Sequence, residues 1–418
     1  MKKLVIDGGN ALSGSVVLQG SKNSSLPILA AAAAVNGISV IHNCPDLTDV
    51  SAAIKILEHI GCKVKRENTT VIVDARGACR YDISETLMRE MRSSIIFLGA
   101  LLARFGKAEM TPPGGCEIGL RPIDLHLSSL RVMGVDIAEK GGILDCKAEN
   151  GIKGRNISLA FPSVGATENI MLASLGATGE TVITNAAREP EIKDLAEFLI
   201  KCGAKISGAG QSVIRIEGSF NANNIEHTVI PDRIVASTYM AAAACAGGRI
   251  AVKGINKEHI VPVVHAFEVA GCELEFSPDE LVIEAPERLR RVRYIRTMPY
   301  PGFPTDSQAV VMAMLTKARG TSIINENIFE NRFRHVPELI KMGADIRVEN
   351  NSVAVIEGSS RLHAAKVTAS DLRGGCALAV AALGAEGITV IDGIHHIDRG
   401  CQSIENDLAQ LGAKIKKE

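Results

Sequence analysis

The chain has 418 residues, beyond the ~250–300 at which a single hydrophobic core stops growing, so two domains are expected. A net charge of -1 offers no field to nucleic acid or an anionic membrane, and 3% aromatic residues are too few for base-stacking platforms. Ten cysteines without any Cys-x-x-Cys pair fit neither a disulfide scaffold nor a paired-cysteine zinc site, and no dense His or carboxylate cluster suggests another metal.

The opening MKKLVIDGGN reaches Asp7 after three apolar residues, too few for a secretory signal. The longest apolar run, Leu26 to Val35, is far below the ~18 residues of a membrane span. A soluble cytoplasmic protein is expected. From residue 26 onward one pattern recurs. Helices rich in small apolar residues stop near a glycine: LPILAAAAAVNG, IIFLGALLARFG, NIMLASLGATG, STYMAAAACAGG, AVVMAMLTKARG and CALAVAALGAEG. Apolar residues all round mark a buried helix, and the terminal glycine is expected to supply a left-handed cap. A short β-branched strand follows each. An amphipathic outer helix comes next, ending at Gly61, Gly134, Gly203, Gly271, Gly343 and Gly412, which lie 68 to 73 residues apart. Self-similarity at a fixed period indicates a repeat architecture.

The sixth unit stops at GAKIKKE, before its last strand. The missing piece lies at the other end, where KLVIDGG and SGSVVLQG resemble the VAVIEGS and AAKVTAS that follow the fifth unit. The expected domains are therefore residues 21–229, and residues 1–20 with 230–418, joined by crossings near Gly20 and Ile230. A six-unit solenoid would show the same period, although it does not need its N-terminus to finish its last repeat.

Unusual polar residues gather at two equivalent places in the unit. One is the loop before the buried helix, with Lys22-Asn23, Arg92, Ser163-Val164, Asp232, Thr305-Asp306 and Asp371 to Arg373. Helix capping explains the Ser, Thr, Asp and Asn there, but not Lys22, Arg92 or Arg373. The other is the loop after the following strand, with Cys116 to Asp124, Arg188-Glu189, Asn331-Arg332 and Asp398-Arg399. If these ends of the two domains face each other, helix N-termini and Lys22, Arg92, Arg121, Arg332, Arg373 and Arg399 line a cleft for a small, multiply charged anion. Phosphoenolpyruvate and a nucleotide diphosphate both qualify.

The segments GSKNSSLPILAA, PPGGCEIGLRPIDLHL, FPSVGATENIML, PYPGFPTDSQA, ENIFENRFRHVPEL, DLRGGCAL and HHIDRG resemble the enolpyruvyl transferase family, in particular its UDP-N-acetylglucosamine branch, over essentially the whole chain. The resemblance implies a two-domain inside-out α/β barrel of six βαβαββ-like repeats, three per domain, with the site in the cleft and closure on the sugar nucleotide. It implies transfer of enolpyruvyl from phosphoenolpyruvate to a sugar hydroxyl by addition and elimination, without metal or organic cofactor. Cys116 would protonate C3 and carry a covalent phospholactoyl or fosfomycin adduct, and Asp306 would be the base. Lys22, Asn23, Arg121, Arg332, Arg373 and Arg399 would hold phosphoenolpyruvate. Arg92, Arg121, Pro122, Ile123, Asp124, Leu125, Ser163, Val164, Asp306 and Ile328 would hold the sugar nucleotide. Two alternatives remain at this point. One is the sister transferase acting on shikimate 3-phosphate, which lacks the GGCEIGLRPIDLHL loop; the other is a non-catalytic sugar-nucleotide-binding paralogue. Paralogue identity, oligomeric state and protein partners are not legible in the sequence.

Overall fold

A computed structural model describes residues 2–114, 118–119, 122–219, 224–359 and 361–418. Cys116 and Arg121 therefore lie outside the described residues. The chain forms two compact units, one from Met1–Gln19 with Pro231–Glu418 and the other within Gly20 to Ile230. Ile118 and Gly119 group with the first, where Asn331 N donates to the Ile118 carbonyl at 3.1 Å.

Each unit is built on three central helices. In the second unit these are α1 (Lys22–Ala34), α2 (Phe97–Phe105) and α3 (Val164–Ser174); in the first they are α4 (Arg233–Ala246), α5 (Thr305–Leu315) and α6 (Leu372–Leu383). Their small residues are buried on every face, as the composition predicts. Contacts between them fix their direction. Asn169 of α3 receives the Gly99 N–H at 2.6 Å and donates to the Ile95 carbonyl at 2.9 Å, while farther along both helices Gly176 packs on Ala103. The two therefore run parallel. In the first unit Asp306 and Arg373 meet at the N-terminal ends of α5 and α6, and Lys317 joins the C-terminal ends of α4 and α6. All three N-termini in that unit thus point to one end.

The two kinds of recurring glycine behave differently. The six that end the outer helices all adopt positive φ, between 88° and 110°. After each, the next N–H reaches back across the turn, as Cys62 does to Leu57 at 2.9 Å and Ala413 to Leu408 at 2.9 Å, which is the Schellman arrangement. The central helices depart from the expectation. Only α2 ends in a left-handed glycine, Gly106 at φ 67°, whereas α1, α3 and α5 stop at Val35, Leu175 and Thr316, before the predicted glycine. Basic side chains take over part of the capping, satisfying carbonyls at the crowded centre of each unit. Arg104 donates to Val35 O at 2.7 Å and Ala75 O at 2.8 Å, and Lys317 to Cys245 O at 2.9 Å and Gly384 O at 3.0 Å. Arg104→Met should therefore lower unfolding stability by ~1–3 kcal/mol, because it strands these carbonyls, and urea denaturation reads the change. A variant as stable as the parent would show that other donors or solvent replace the guanidinium.

Six four-stranded sheets flank these helices, and all share one order. In four sheets the strand before a central helix pairs in parallel with the strand after it. At the two chain crossings the partners are exchanged, Asn224–Thr228 before α4 pairing in parallel with Ile38–His42 after α1, and Leu12–Val17 before α1 with Gly248–Lys253 after α4. The remaining pairings in the four-stranded sheets are antiparallel. The N-terminal strand Leu4–Asp7 sits between Ile388–Asp392 and Lys414–Lys417, antiparallel to both, and so supplies the last strand of the sixth unit. Leu12–Val17 then pairs in parallel with Gly248–Lys253 and opens the fourth. Among the described residues each sheet keeps two edges and none closes into a barrel. No helix of the described residues is long and apolar enough to cross a membrane.

Candidate active site

In the first unit the predicted polar residues converge on Asp306. It occupies the first turn of α5, whose N-cap position is Pro304, so its carboxylate is not spent on capping. Arg332 Nη2 donates to Oδ1 at 2.7 Å and Arg373 Nη2 to Oδ2 at 2.8 Å. The two arginine side chains are 3% and 5% exposed, while that of Asp306 is 27% exposed. The carboxylate is thus the accessible tip of a buried charge cluster. Burial disfavours the charged Arg373, but the Asp306 and Asp232 carboxylates outweigh it and raise its pKa.

Local sequence holds this cluster in place. Asp371 Oδ1 accepts from the N–H groups of Arg373 and Gly374, both at 3.0 Å, and starts α6 so that Arg373 lies in its first turn. Glu326, which the sequence did not single out, is buried and bridges two segments. Its Oε2 accepts from Thr305 Oγ1 at 2.9 Å, and its Oε1 from the N–H groups of Ile328 and Phe329 at 2.8 and 3.2 Å. The loop carrying Ile328 and Arg332 is thereby tied to the start of α5. Arg399 ends a 3-10 turn, Ile394–Arg399, and the adjacent Asp398 pairs with Lys417 at 2.8 Å.

His335 was also missed. It is buried beside Arg332 and Asp371; its burial and the Arg332 charge together outweigh the Asp371 carboxylate and pull its pKa from 6.5 to about 4. Unfolded chain therefore takes up this proton near pH 6.5, whereas the folded protein resists until about pH 4. Stability from this group is complete above pH 6.5 and is lost as pH falls toward 4. Over that window the parent should lose up to ~1.4 kcal/mol per pH unit more than His335→Phe in urea titrations. Parallel pH dependences would mean that His335 titrates normally.

In the second unit Lys22 opens α1 with its ammonium 3.3 Å from Asp49 Oδ2, both side chains largely buried, and Asn23 follows half-buried. Arg92 reaches the carbonyls of Pro113 and Gly114 at 3.3 and 3.4 Å, so it grips the start of the glycine-rich loop. Pro122 is exposed at the far side of that loop, and Asp124 and Leu125 begin the helix Asp124–Val132, against whose core Ile123 and Leu125 pack. Ser163 caps α3 through Ala166 N at 3.3 Å, with Val164 next to it. Asn169 accepts the Gly99 N–H and also lies 2.8 Å from His126 Nδ1, linking α3 to the helix after the loop. Glu168 is fully buried, and burial together with the nearby Glu191 and Glu189 raises its pKa far above the carboxylate range. Chemically, the two units offer a clamped carboxylate with two arginines, and a lysine with an arginine beside a loop. The described residues contain no group of three or more His, Cys, Asp or Glu suited to a metal.

Residues 6–408 match the family described as EPSP synthase (3-phosphoshikimate 1-carboxyvinyltransferase). A Caldanaerobacter subterraneus subsp. tengcongensis protein named UDP-N-acetylglucosamine 1-carboxyvinyltransferase 2 is 52% identical over 99% of this chain and 99% of its own length. A Trichlorobacter lovleyi protein named UDP-N-acetylglucosamine 1-carboxyvinyltransferase is 45% identical over 100% of this chain and 99% of its own. The enolpyruvyl transferase NikO of Streptomyces tendae superposes with a TM-score of 0.90 at 26% identity, covering 100% of this chain and 98% of that one. An EPSP synthase from Acinetobacter baumannii gives 0.78 at 18% identity with full coverage of both chains, a likeness of fold alone.

Proposed function

We propose, since this chain belongs to the EPSP synthase (3-phosphoshikimate 1-carboxyvinyltransferase) family, that it transfers the enolpyruvyl group of phosphoenolpyruvate to the 3′-hydroxyl of UDP-N-acetylglucosamine and releases phosphate. The observation that carries the substrate is 52% identity across nearly all of both chains to a relative named for that sugar nucleotide, against 18% to the EPSP synthase structure. The reaction commits carbon to peptidoglycan precursors, so on this reading the protein serves wall synthesis, cell shape and division from the cytoplasm.

The reading calls on residues of both units. Asp306 accepts the proton of the 3′-hydroxyl as that oxygen adds to C2 of phosphoenolpyruvate. The Cys116 thiol gives its proton to C3, which leaves a tetrahedral ketal. The C2–O bond to phosphate then breaks, C3 returns a proton to the Cys116 thiolate, and the vinyl ether forms. Lys22, Arg121 and Arg399 stabilise the departing phosphate; Arg332 and Arg373 orient the carboxylate, and Asn23 assists. Arg92, Arg121, Pro122, Ile123, Asp124, Leu125, Ser163, Val164 and Ile328 hold the sugar nucleotide. Every step is acid, base or charge chemistry that side chains supply. An electrophilic epoxide such as fosfomycin would alkylate Cys116 and stop the reaction.

Phosphate release from phosphoenolpyruvate tests the reading. Release is expected with UDP-N-acetylglucosamine and not with shikimate 3-phosphate. Release with shikimate 3-phosphate alone would overturn the substrate, and release with neither would favour a sugar-nucleotide-binding protein without catalysis.

A further inference from the structure

Between Pro286 and Pro299 the sequence ERLRRVRYIR carries Arg288, Arg290, Arg291, Arg293 and Arg296 with no acid after Glu287. In the fold Leu289, Val292 and Ile295 turn inward, while all five arginines, and Arg319 just before the next strand, are exposed. Such charge would ordinarily be paired. Elsewhere in this unit Arg249 meets Glu275 and Glu284 at 3.3 Å, and Arg347 meets Glu349 at 3.1 Å. None of the six arginines of the strip has such a partner among the described residues. The chain as a whole is nearly neutral, so this is a local concentration of cation.

The backbone under the strip is also unspent. Tyr294–Arg296 is the edge strand of its sheet and pairs in parallel with Gly320–Asn325. On the inner side, Arg291 N donates to Arg319 O at 3.2 Å, Ile323 N to Arg293 O at 3.1 Å, and Thr297 N to Asn325 O at 3.0 Å. Backbone groups alternate in direction along a strand, so Val292, Tyr294 and Arg296 turn their N–H and C=O groups to the outer edge. No partner for them occurs among the described residues. At Arg290 this free edge ends, because its N–H donates to Ala270 O at 2.8 Å.

We propose that this strip docks an acidic, extended peptide segment of another protein, which adds as a strand beside Tyr294–Arg296 and sets its carboxylates against the arginines. An anionic polymer or bilayer would use the guanidiniums alone. Only a polypeptide supplies alternating C=O and N–H groups to the open edge as well. Arginine forks match carboxylates, and the same row of charge repels the edge of a second copy of this chain. Selection for an acidic strand and rejection of self-pairing thus come from one feature.

The probe is a blocked, fluorescein-labelled heptapeptide of alternating Glu and Thr, titrated with the full chain by anisotropy at low salt. Saturable binding is expected, weakened at least tenfold by R293A/R296A and equally by N-methylation of alternate peptide bonds, and untouched by R249A. R293E/R296E should transfer the preference to a Lys–Thr peptide, and phosphate release in all variants should match the parent. Absence of binding overturns the proposal. So does binding indifferent to N-methylation, and so does tighter capture of single-stranded DNA or phosphatidylglycerol vesicles by the same arginines.

Discussion

Asp306→Asn should lower kcat for phosphate release by ~10²–10⁴ while the protein stays folded, the range expected when a positioned base is removed. The geometry makes this more than loss of a base. Asp306 is the counter-ion of Arg332 and Arg373. An incoming substrate carboxylate or phosphate competes for the same arginines. On the proposed mechanism, arginines that turn to it would release the carboxylate to take the hydroxyl proton. Asparagine cannot follow this exchange, and its amide N–H₂ faces a guanidinium. Stability should also fall, though by less than the ~3–5 kcal/mol of a fully buried pair, because the Asp306 side chain keeps 27% of its exposure. Rapid-quench measurement of phosphate decides the matter: an Asn variant with more than a tenth of the parent kcat removes Asp306 from the role of base. A drop confined to KM would instead make it a binding residue.

Much of this arrangement is written in the sequence because it repeats. The outer-helix glycines were legible as helix ends from their regular spacing, and all six adopt the left-handed conformation, although the left-handed cap was expected of the central helices instead. The capping of the central helices was not, because Arg104 and Lys317 act on carbonyls of neighbouring repeats, a contact that no local pattern encodes. The same limit applies to the site. Asp306, Arg332 and Arg373 were each legible as polar residues at equivalent places in the repeat. Their mutual pairing was not, since it joins residues 26 and 67 positions apart. Glu326 and His335 carried a weaker signal, the clustering of polar residues in ENIFENRFRH, which a surface loop would share. Arg92 looked like a ligand residue; its bonds to Pro113 and Gly114 give it a second part, as a tether for the loop.

Cys116→Ala should abolish turnover to a comparable degree, ~10²–10⁴ in kcat, if its thiol is the acid that protonates C3. The rest of the chain makes this unusually easy to isolate. Among the described cysteines all are buried except Cys79. Burial pushes the thiols of Cys62, Cys146, Cys202 and Cys272 up to about 12, so none offers thiolate at neutral pH. Of the described cysteines Cys376 alone is pushed down, by its hydrogen bond to Cys401, but it is fully buried, so rapid inactivation of the native protein by an alkylating reagent is expected to run through Cys79 or Cys116. In a Cys79→Ser background the loss of activity should track modification of one residue, Cys116, and UDP-N-acetylglucosamine should alter its rate because the loop residues 122–125 are assigned to that ligand. Peptide mapping of the modified protein makes the assignment. Full activity after complete labelling of Cys116, or an Ala variant within tenfold of the parent, would move the proton-donor role elsewhere. The buried Glu168 is not an obvious substitute, since a group fully enclosed in the core cannot reach a substrate carbon. On the proposed mechanism the thiol would then carry the acid half alone, and the clamped carboxylate the other.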